Sequence, residues 1–448
     1  MNRPISVLLA IALACMVSAK TSAMDLKQAY QAAFEQDAAI NAARATAAAG
    51  REVVPQARAQ LLPSLSASVS RSDNYLKSIR HNSLGQVSDS GTNYPSSSDS
   101  VTLRQPIYRW YQWAQYQQAQ AQEEDSNAVL DGELQNLAVK VTGTYLEALL
   151  AQDQLALVRT QLSTYRVQLD AAKKLFAAGS GTRTDIDEVQ ARLDFSAAQE
   201  MEAMQNVTLT LKQLQVLVNR PVDRLASLDE ARLSLSPPNP DDPQNWIELA
   251  EQASPELRAL RARAQAAAFE VEKARAGHLP TLDATAQWSR STSDSVSNIE
   301  TTNDVRSFGL QLNIPIYSGG GVNSAMRQAL ANKERAEQIV EATRRDLEVK
   351  VFKEFRGVSE GVLRVRALEQ AVKSAELALM SNQRSFQAGN RTRIDVMNAE
   401  SGKMLALRDL AQARYIYLIS WLRLKALVAQ ADEHSIEVIN SSLAVVDQ

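Results

Sequence analysis

An internal duplication constrains this chain more than any single motif. The stretch Asp25 to Pro63 (DLKQAYQAAFEQDAAINAARATAAAGREVVPQARAQLLP) is paralleled by Asn245 to Pro280 (NWIELAEQASPELRALRARAQAAAFEVEKARAGHLP), and each ends in the Leu-Pro that opens an alternating segment. LRQPIYRW at 103–110 answers LNIPIYSG at 312–319, and FAAGSGTRTDI at 176–186 answers FQAGNRTRIDV at 386–396. Gly179 and Gly389 lie 210 positions apart and Pro106 and Pro315 lie 209 apart, so the register holds over the whole unit. One supersecondary unit is used twice.

Each unit reads as helix, strand, polar loop, strand, very long helix, tight turn, long helix. This predicts a leader over 1–23, a first repeat over 24–236, a second over 237–431 and a tail over 432–448. The tail is expected to pack against the connector RPVDRLASLDEARLSLSPPNPDDPQN, where prolines cluster. With 45% hydrophobic but only 5% aromatic residues, the core is one of Ala, Leu and Val, and 16 Gly and 13 Pro in 448 residues favour long helices. A net charge of -3 gives no electrostatic reason to expect nucleic acid.

The N-terminus reads as an export leader: Arg3, an apolar run from Ile5 to Val17, and a small-residue cleavage site Thr21-Ser22-Ala23 before Met24. Cleavage there removes Cys15, the chain's one cysteine. Acylation at Cys15 is the competing reading, and Ala12-Leu13-Ala14 fits a lipobox poorly. Beyond the leader no stretch reaches the roughly 18 to 20 apolar residues of a membrane helix. If the mature chain crosses a bilayer, strands must do it.

A helix from about Tyr111 to Phe176 would run roughly 100 Å at 1.5 Å per residue, longer than a globular core needs. Apolar positions step by three and four along it (Leu155, Val158, Leu162, Tyr165, Leu169) and along the return helix (Met204, Val207, Leu211, Leu214, Val218). The second repeat does the same with Phe355, Val358, Val362, Val365 and Leu368, then Leu407, Leu410, Arg414, Tyr417, Trp421, Leu424 and Val428. Arg414 interrupts that last seam, and its stem is expected to cover the seam with its head outside.

Strands are predicted over Leu65–Arg71, Val101–Tyr108, Leu282–Ser289 and Phe308–Tyr317. Phe308, Leu310, Leu312, Ile314 and Ile316 offer one face to lipid, while Gly309, Gln311 and Asn313 offer the other to water. Tyr75, Tyr94, Tyr108, Trp110, Tyr111, Trp113, Trp288 and Tyr317 suit interface girdles, and 76–98 and 290–306 read as polar loops. Four strands cannot close a barrel whose smallest members have about eight. The fold class is therefore mainly α with a β-barrel contribution. Three copies make a trimeric α-barrel of long coiled-coil helices plus a 12-stranded transmembrane β-barrel, four strands per chain.

Leu279-Pro280-Thr281-Leu282, Ile314-Pro315-Ile316-Tyr317-Ser318-Gly319-Gly320, and the Gly-x-x-x-x-x-Asp turns at Gly179–Asp185 and Gly389–Asp395, in order and duplicated, resemble the TolC family of outer-membrane secretion and efflux channels. The resemblance covers essentially the whole mature chain. It implies a homotrimer in the outer membrane of a Gram-negative bacterium, extending into the periplasm to meet an inner-membrane transporter and a periplasmic adaptor protein. It implies a periplasmic gate in which Thr184, Asp185 and Arg391 match hydrogen-bonded constraints, and an acidic lumen ring at Asp395. Phe386 stands where some relatives have a hydrogen-bonding Tyr, and Asn398 where some have a second Asp. Gly179, Arg183, Gly389 and Arg393 are expected at adaptor-facing tips.

The spacing Thr182-x-x-Asp185 and Thr392-x-x-Asp395 also reads as two capping boxes. Arg391 has Gly181 as its repeat partner, an asymmetry that points to a contact made by one helix pair only. His81, His278 and His434 are scattered without metal spacing, and no phosphate loop or nucleophile elbow is present, so no cofactor and no enzyme activity are expected. The main reading is an exit duct for secreted polypeptide or small toxic compounds. The alternative is a periplasmic coiled-coil adaptor with no membrane barrel.

Overall fold

Alternation of apolar and polar residues after each Leu-Pro produces strands, and the three-four spacing between them produces helices, in a computed structural model that describes residues 23–81, 83, 85, 87–295 and 298–444. The leader with Cys15 and the last four residues of the tail lie outside the described residues. In chain order the helices are α1 (Leu26–Gln36), α2 (Ala38–Arg51), α3 (Val53–Ala59), α4 (Trp110–Ala177), α5 (Arg183–Val218), α6 (Pro243–Ala253), α7 (Pro255–Arg275), α8 (Gly321–Gln387), α9 (Arg393–Leu427) and α10 (Glu433–Asn440). The strands are β1 (Ser64–His81), β2 (Val87–Tyr108), β3 (Ser227–Leu228), β4 (Thr281–Ser295), β5 (Asn298–Asn313) and β6 (Leu443–Ala444). Two compact units result: one from residues up to Arg44, Asp131–Pro255 and from Arg344 onward, the other from Ala45–Leu130 and Glu256–Thr343. Each unit takes segments from both repeats.

The second unit holds an antiparallel sheet in the order β1-β2-β4-β5. Its register aligns Leu65, Leu103, Ala286 and Phe308 in one row and Ala67, Val101 and Trp288 in the next, with Leu310 opposite Ala284 and Leu312 opposite Leu282. The opposite face aligns Ser66, Thr102, Gln287 and Ser307. The apolar face is bare, with Phe308 79% exposed, and among the described residues β1 and β5 each pair with one neighbour only. On the opposite face Asp283, buried, accepts from Arg104 at 2.7 Å and is bound by Arg109 as well, which ties β2 and the start of α4 to β4. Close helix packing supports the sheet: a Cβ on Gly50 of α2 would fall 2.2 Å from Ser126 Oγ of α4.

The strands run well past their predicted limits. Residues 72–81, 87–100, 290–295 and 298–307, mostly within the stretches read as polar loops, are strand. Ser, Thr and Asn carry no apolar period, yet backbone pairing continues through Ser72–Ser96 to His81–Val87. Tyr75 lies ten residues beyond the Leu65 row, about 33 Å along the strand, and so does not share a girdle with Trp288. At its other end β5 stops at Asn313, leaving Ile314 to Tyr317 outside the sheet, where Pro315 has no N–H for a ladder.

In the first unit the long helices pair along buried seams. Phe355, Val358, Val362 and Val365 of α8 are buried, as are Leu410, Tyr417 and Leu424 of α9. A Cβ on Gly357 would meet Ser420 Oγ at 2.9 Å, so these backbones approach closely. Met204 departs from the expected seam, 47% exposed, while Leu214 and Val218 of the same seam are buried. The tail closes on the connector: β6 pairs with β3, and α10 packs on α1. Tyr145, fully buried, donates to the carbonyls of Met24 at 2.9 Å and Ala226 at 3.1 Å, pinning the start of the chain to the connector.

Arg414 overturns its prediction. Its head is buried with the rest of the side chain, 6% exposed, because the connector supplies Glu230 and α8 supplies Glu369 at 3.2 Å. Removing both acids by Glu230→Ala and Glu369→Ala strands a buried guanidinium, which should cost about 2–3 kcal/mol. Arg414→Met, which removes the charge too, should cost less. Thermal unfolding of the purified variants measures the difference.

Candidate functional site

The two helix turns are built alike. Gly179 (φ +74°) and Gly389 (φ +77°) take the left-handed conformation that ends α4 and α8. The Gly179 N–H reaches the Phe176 carbonyl at 3.0 Å and the Ser180 N–H that of Leu175 at 3.0 Å; Gly389 to Phe386 (3.0 Å) and Asn390 to Ser385 (2.9 Å) repeat the pattern. The return helices then start on capping boxes. Asp185 Oδ2 accepts from the Thr182 N–H at 3.0 Å and from its hydroxyl at 2.6 Å, while Thr182 Oγ1 accepts from the Asp185 N–H at 3.2 Å. Thr392 and Asp395 do the same at 2.9, 2.9 and 3.3 Å.

These contacts set the electrostatics. The Thr182 hydroxyl bond, then its backbone N–H, holds the Asp185 carboxyl below the usual carboxylate range, and the Arg393 guanidinium adds to this. Asp395 is likewise lowered, first by the Thr392 backbone N–H, then by its hydroxyl and by Arg391. Both carboxylates are ionised at neutral pH.

Arg391 and Arg393 take different partners within the chain. Within the chain Arg391, just before the Thr392 cap, pairs with Asp395 of α9 at 3.7 Å rather than with Thr184 or Asp185, and Thr184 is exposed. The Gly181 asymmetry has a local cause: a Cβ at 181 would lie 3.0 Å from the Phe176 nitrogen and 3.2 Å from the Leu175 carbonyl carbon. Arg393, expected at an exposed tip, instead bridges the helix pairs. Its Nη1 donates to the Gln168 carbonyl of α4 at 3.4 Å, and its guanidinium lies 5.4 Å from the centre of the Phe386 ring. The ring that cannot hydrogen-bond thus supports a cation. Arg183 remains exposed, paired with Asp187 at 3.2 Å.

Three further residues join the pairs. Asn398 accepts from Arg192 Nη2 of α5 at 2.9 Å, and Arg192 also lies 3.6 Å from Glu188. Gln168 Nε2 donates to Glu400 Oε2 at 2.7 Å. Both bonds flank a core in which Met397 of α9 packs among Tyr165, Leu169 and Ala172 of α4 and Ile186 and Val189 of α5. The sequence held a signal for Glu400: it lies seven residues before Leu407, as Arg414 lies seven after, so it occupies the same seam position.

The model of the family described as outer membrane efflux protein matches residues 29–220 and again 246–430, once for each repeat. The chain belongs to this family of outer-membrane channels, the TolC family. It is 33% identical over 419 residues to the alkaline protease secretion protein AprF of Pseudomonas aeruginosa, covering 93% of this chain and 87% of that one. It is 31% identical to the proteases secretion protein PrtF of Dickeya chrysanthemi (94% and 91% covered) and 28% identical to the outer membrane protein TolC of Escherichia coli (95% and 86%). The crystal structure of the outer membrane protein VceC from Vibrio cholerae superimposes with a TM-score of 0.77 at 20% identity, covering 90% of this chain and 96% of that one. The fold is thus that of the efflux channels, long coiled helices with a β-barrel contribution, and the protein is an outer-membrane exit duct extending into the periplasm. The barrel-less adaptor reading falls with that membership.

Loss of the first cap by Thr182→Ala should lower stability by about 1 kcal/mol. Gly181→Ala should destabilise more than Arg391→Ala, since only the former drives a methyl group onto backbone. Unfolding midpoints of the three variants test the order.

Proposed function

We propose that this chain is one third of a homotrimeric duct for exported polypeptide, fed by an inner-membrane transporter through a periplasmic adaptor, with the α4/α5 and α8/α9 turns as its entrance. The observation that carries the duct is the sheet: an uncovered apolar face and two unpaired edges, which lipid tolerates only when other copies close the ring. Exposed apolar side chains on the long helices, among them Phe195, Met201, Leu377 and Met380, fit the same need for neighbouring copies. Polypeptide cargo is favoured by AprF and PrtF, whose names assign them to protease secretion. A deletion strain should lose exported proteins from its medium while keeping its resistance to dyes and detergents. Loss of resistance with normal secretion would transfer the reading to small toxic compounds.

At the entrance, Arg393, Gln168, Arg192 and Asn398 join helix pairs within one chain, and Arg391 meets Thr184 and Asp185 of the neighbouring protomer. Asp395 lines the lumen. Asn398, neutral and bound to Arg192, leaves this ring less acidic than two aspartates would. Gly179, Gly389 and Arg183 form the surface that faces the adaptor. Arg391→Ser should raise single-channel conductance in planar bilayers, and Asp395→Ala should reduce cation preference without a comparable rise. Unchanged conductance in Arg391→Ser, with the trimer intact, would contradict the inter-protomer contact.

A further inference from the structure

Glu400 is an acid in an apolar place. It is 6% exposed, one turn after Met397, which packs against Tyr165 and Leu169 of α4, and it is bonded to Gln168 of α4. Its Oε2 accepts from Gln168 Nε2 at 2.7 Å, and the Thr164 hydroxyl is within reach. No ion pair joins it to a cation among the described residues: Lys403, one turn along α9, is engaged 3.1 Å away with Glu376 of α8, Arg393 is spent on the Gln168 carbonyl, and Arg192 of α5 on Asn398 and Glu188. Burial pushes the Glu400 carboxyl above its ordinary value of 4.5, with the Gln168 and Thr164 bonds and Lys403 opposing.

A second, independent feature sits on the same contact. Gln168 Oε1 is buried and without a hydrogen-bond partner among the described residues. An orphaned buried acceptor is costly, and an acceptor beside an ionised carboxylate has nothing to bond. A protonated carboxyl has what the amide lacks. Its O–H can donate to Gln168 Oε1 while its other oxygen accepts from Nε2, a closed two-bond pair between acid and amide.

Resting on the entrance reading above, we propose that Glu400 and Gln168 are positioning residues that clamp α9 to α4, and that a proton on Glu400 completes the clamp. When the pairs separate, Glu400 meets water and its carboxyl returns to ordinary acidity. The closed form therefore binds the proton more tightly than the open form. Closure gains this contribution in full below the open-form value near 4.5 and loses it as pH rises through the higher closed-form value. Between the two, the closed-to-open ratio falls by up to about tenfold per pH unit for each protomer. Asp185 and Asp395, both lowered by their caps, titrate below this window.

The test is single-channel conductance of the intact trimer in planar bilayers from pH 4.5 to 8, for the wild type, Glu400→Gln, Gln168→Leu and Arg391→Ser. Glu400→Gln keeps shape and supplies an N–H for Gln168 Oε1 at every pH. The wild type should conduct more as pH rises, Glu400→Gln should stay at the low-pH level throughout, and Gln168→Leu should be raised at low pH. A wild-type profile that Glu400→Gln reproduces unchanged would overturn the proposal, as would a Glu400→Gln channel that leaks at low pH. If Arg391→Ser opens the channel while the Glu400 and Gln168 variants match the wild type, the entrance stands and the clamp fails. If no variant and no pH changes conductance, the entrance reading itself fails.

Discussion

A strand in lipid must have both backbone edges paired, since the hydrocarbon offers no water to an N–H or a carbonyl. Among the described residues the sheet of this chain has four strands and two open edges, with a bare apolar face and, on the other face, Asp283 bound by its arginines. Everything else follows from finding partners for those edges. The duplication supplies two hairpins per chain, and other copies of the chain supply the rest.

The helical seams obey a different rule. They are apolar where helices must stay paired and polar where a contact must be specific. Glu400, Leu407 and Arg414 share one seam position at intervals of seven, and two of the three are charged. Arg414 is buried with acids from the connector and from α8, so it fixes where the end of one repeat meets the middle of the chain. Glu400 is buried with an amide and, among the described residues, in no ion pair, a weaker arrangement between α9 and α4. Contacts of this kind bias an equilibrium without locking it, which suits the entrance proposed above.

Much of this was legible in the sequence. The helix predicted from about Tyr111 to Phe176 matches α4 to within a residue at each end, and Thr182 and Thr392 announced their capping boxes. The strand lengths were not legible, because the outer parts of β1 and β2 are Ser, Thr, Asn and Asp, whose pairing depends on backbone rather than on an apolar face. Side-chain roles around the turns were legible by type but not by partner. Arg393 and Arg391 are both cations near an aspartate in the sequence, and only the rise and rotation of α9 decide that Arg393 reaches the Gln168 carbonyl while Arg391 returns to Asp395. Backbone crowding in one turn explains why position 181 is glycine, a local cause that the comparison of repeats does not reveal.

The central claim is that one chain holds one third of a closed barrel. Native mass spectrometry of the mature protein released from detergent tests it most directly. The account predicts a three-chain mass as the dominant species at every concentration at which the protein stays folded. A folded single-chain species that inserts into bilayers and conducts would contradict it.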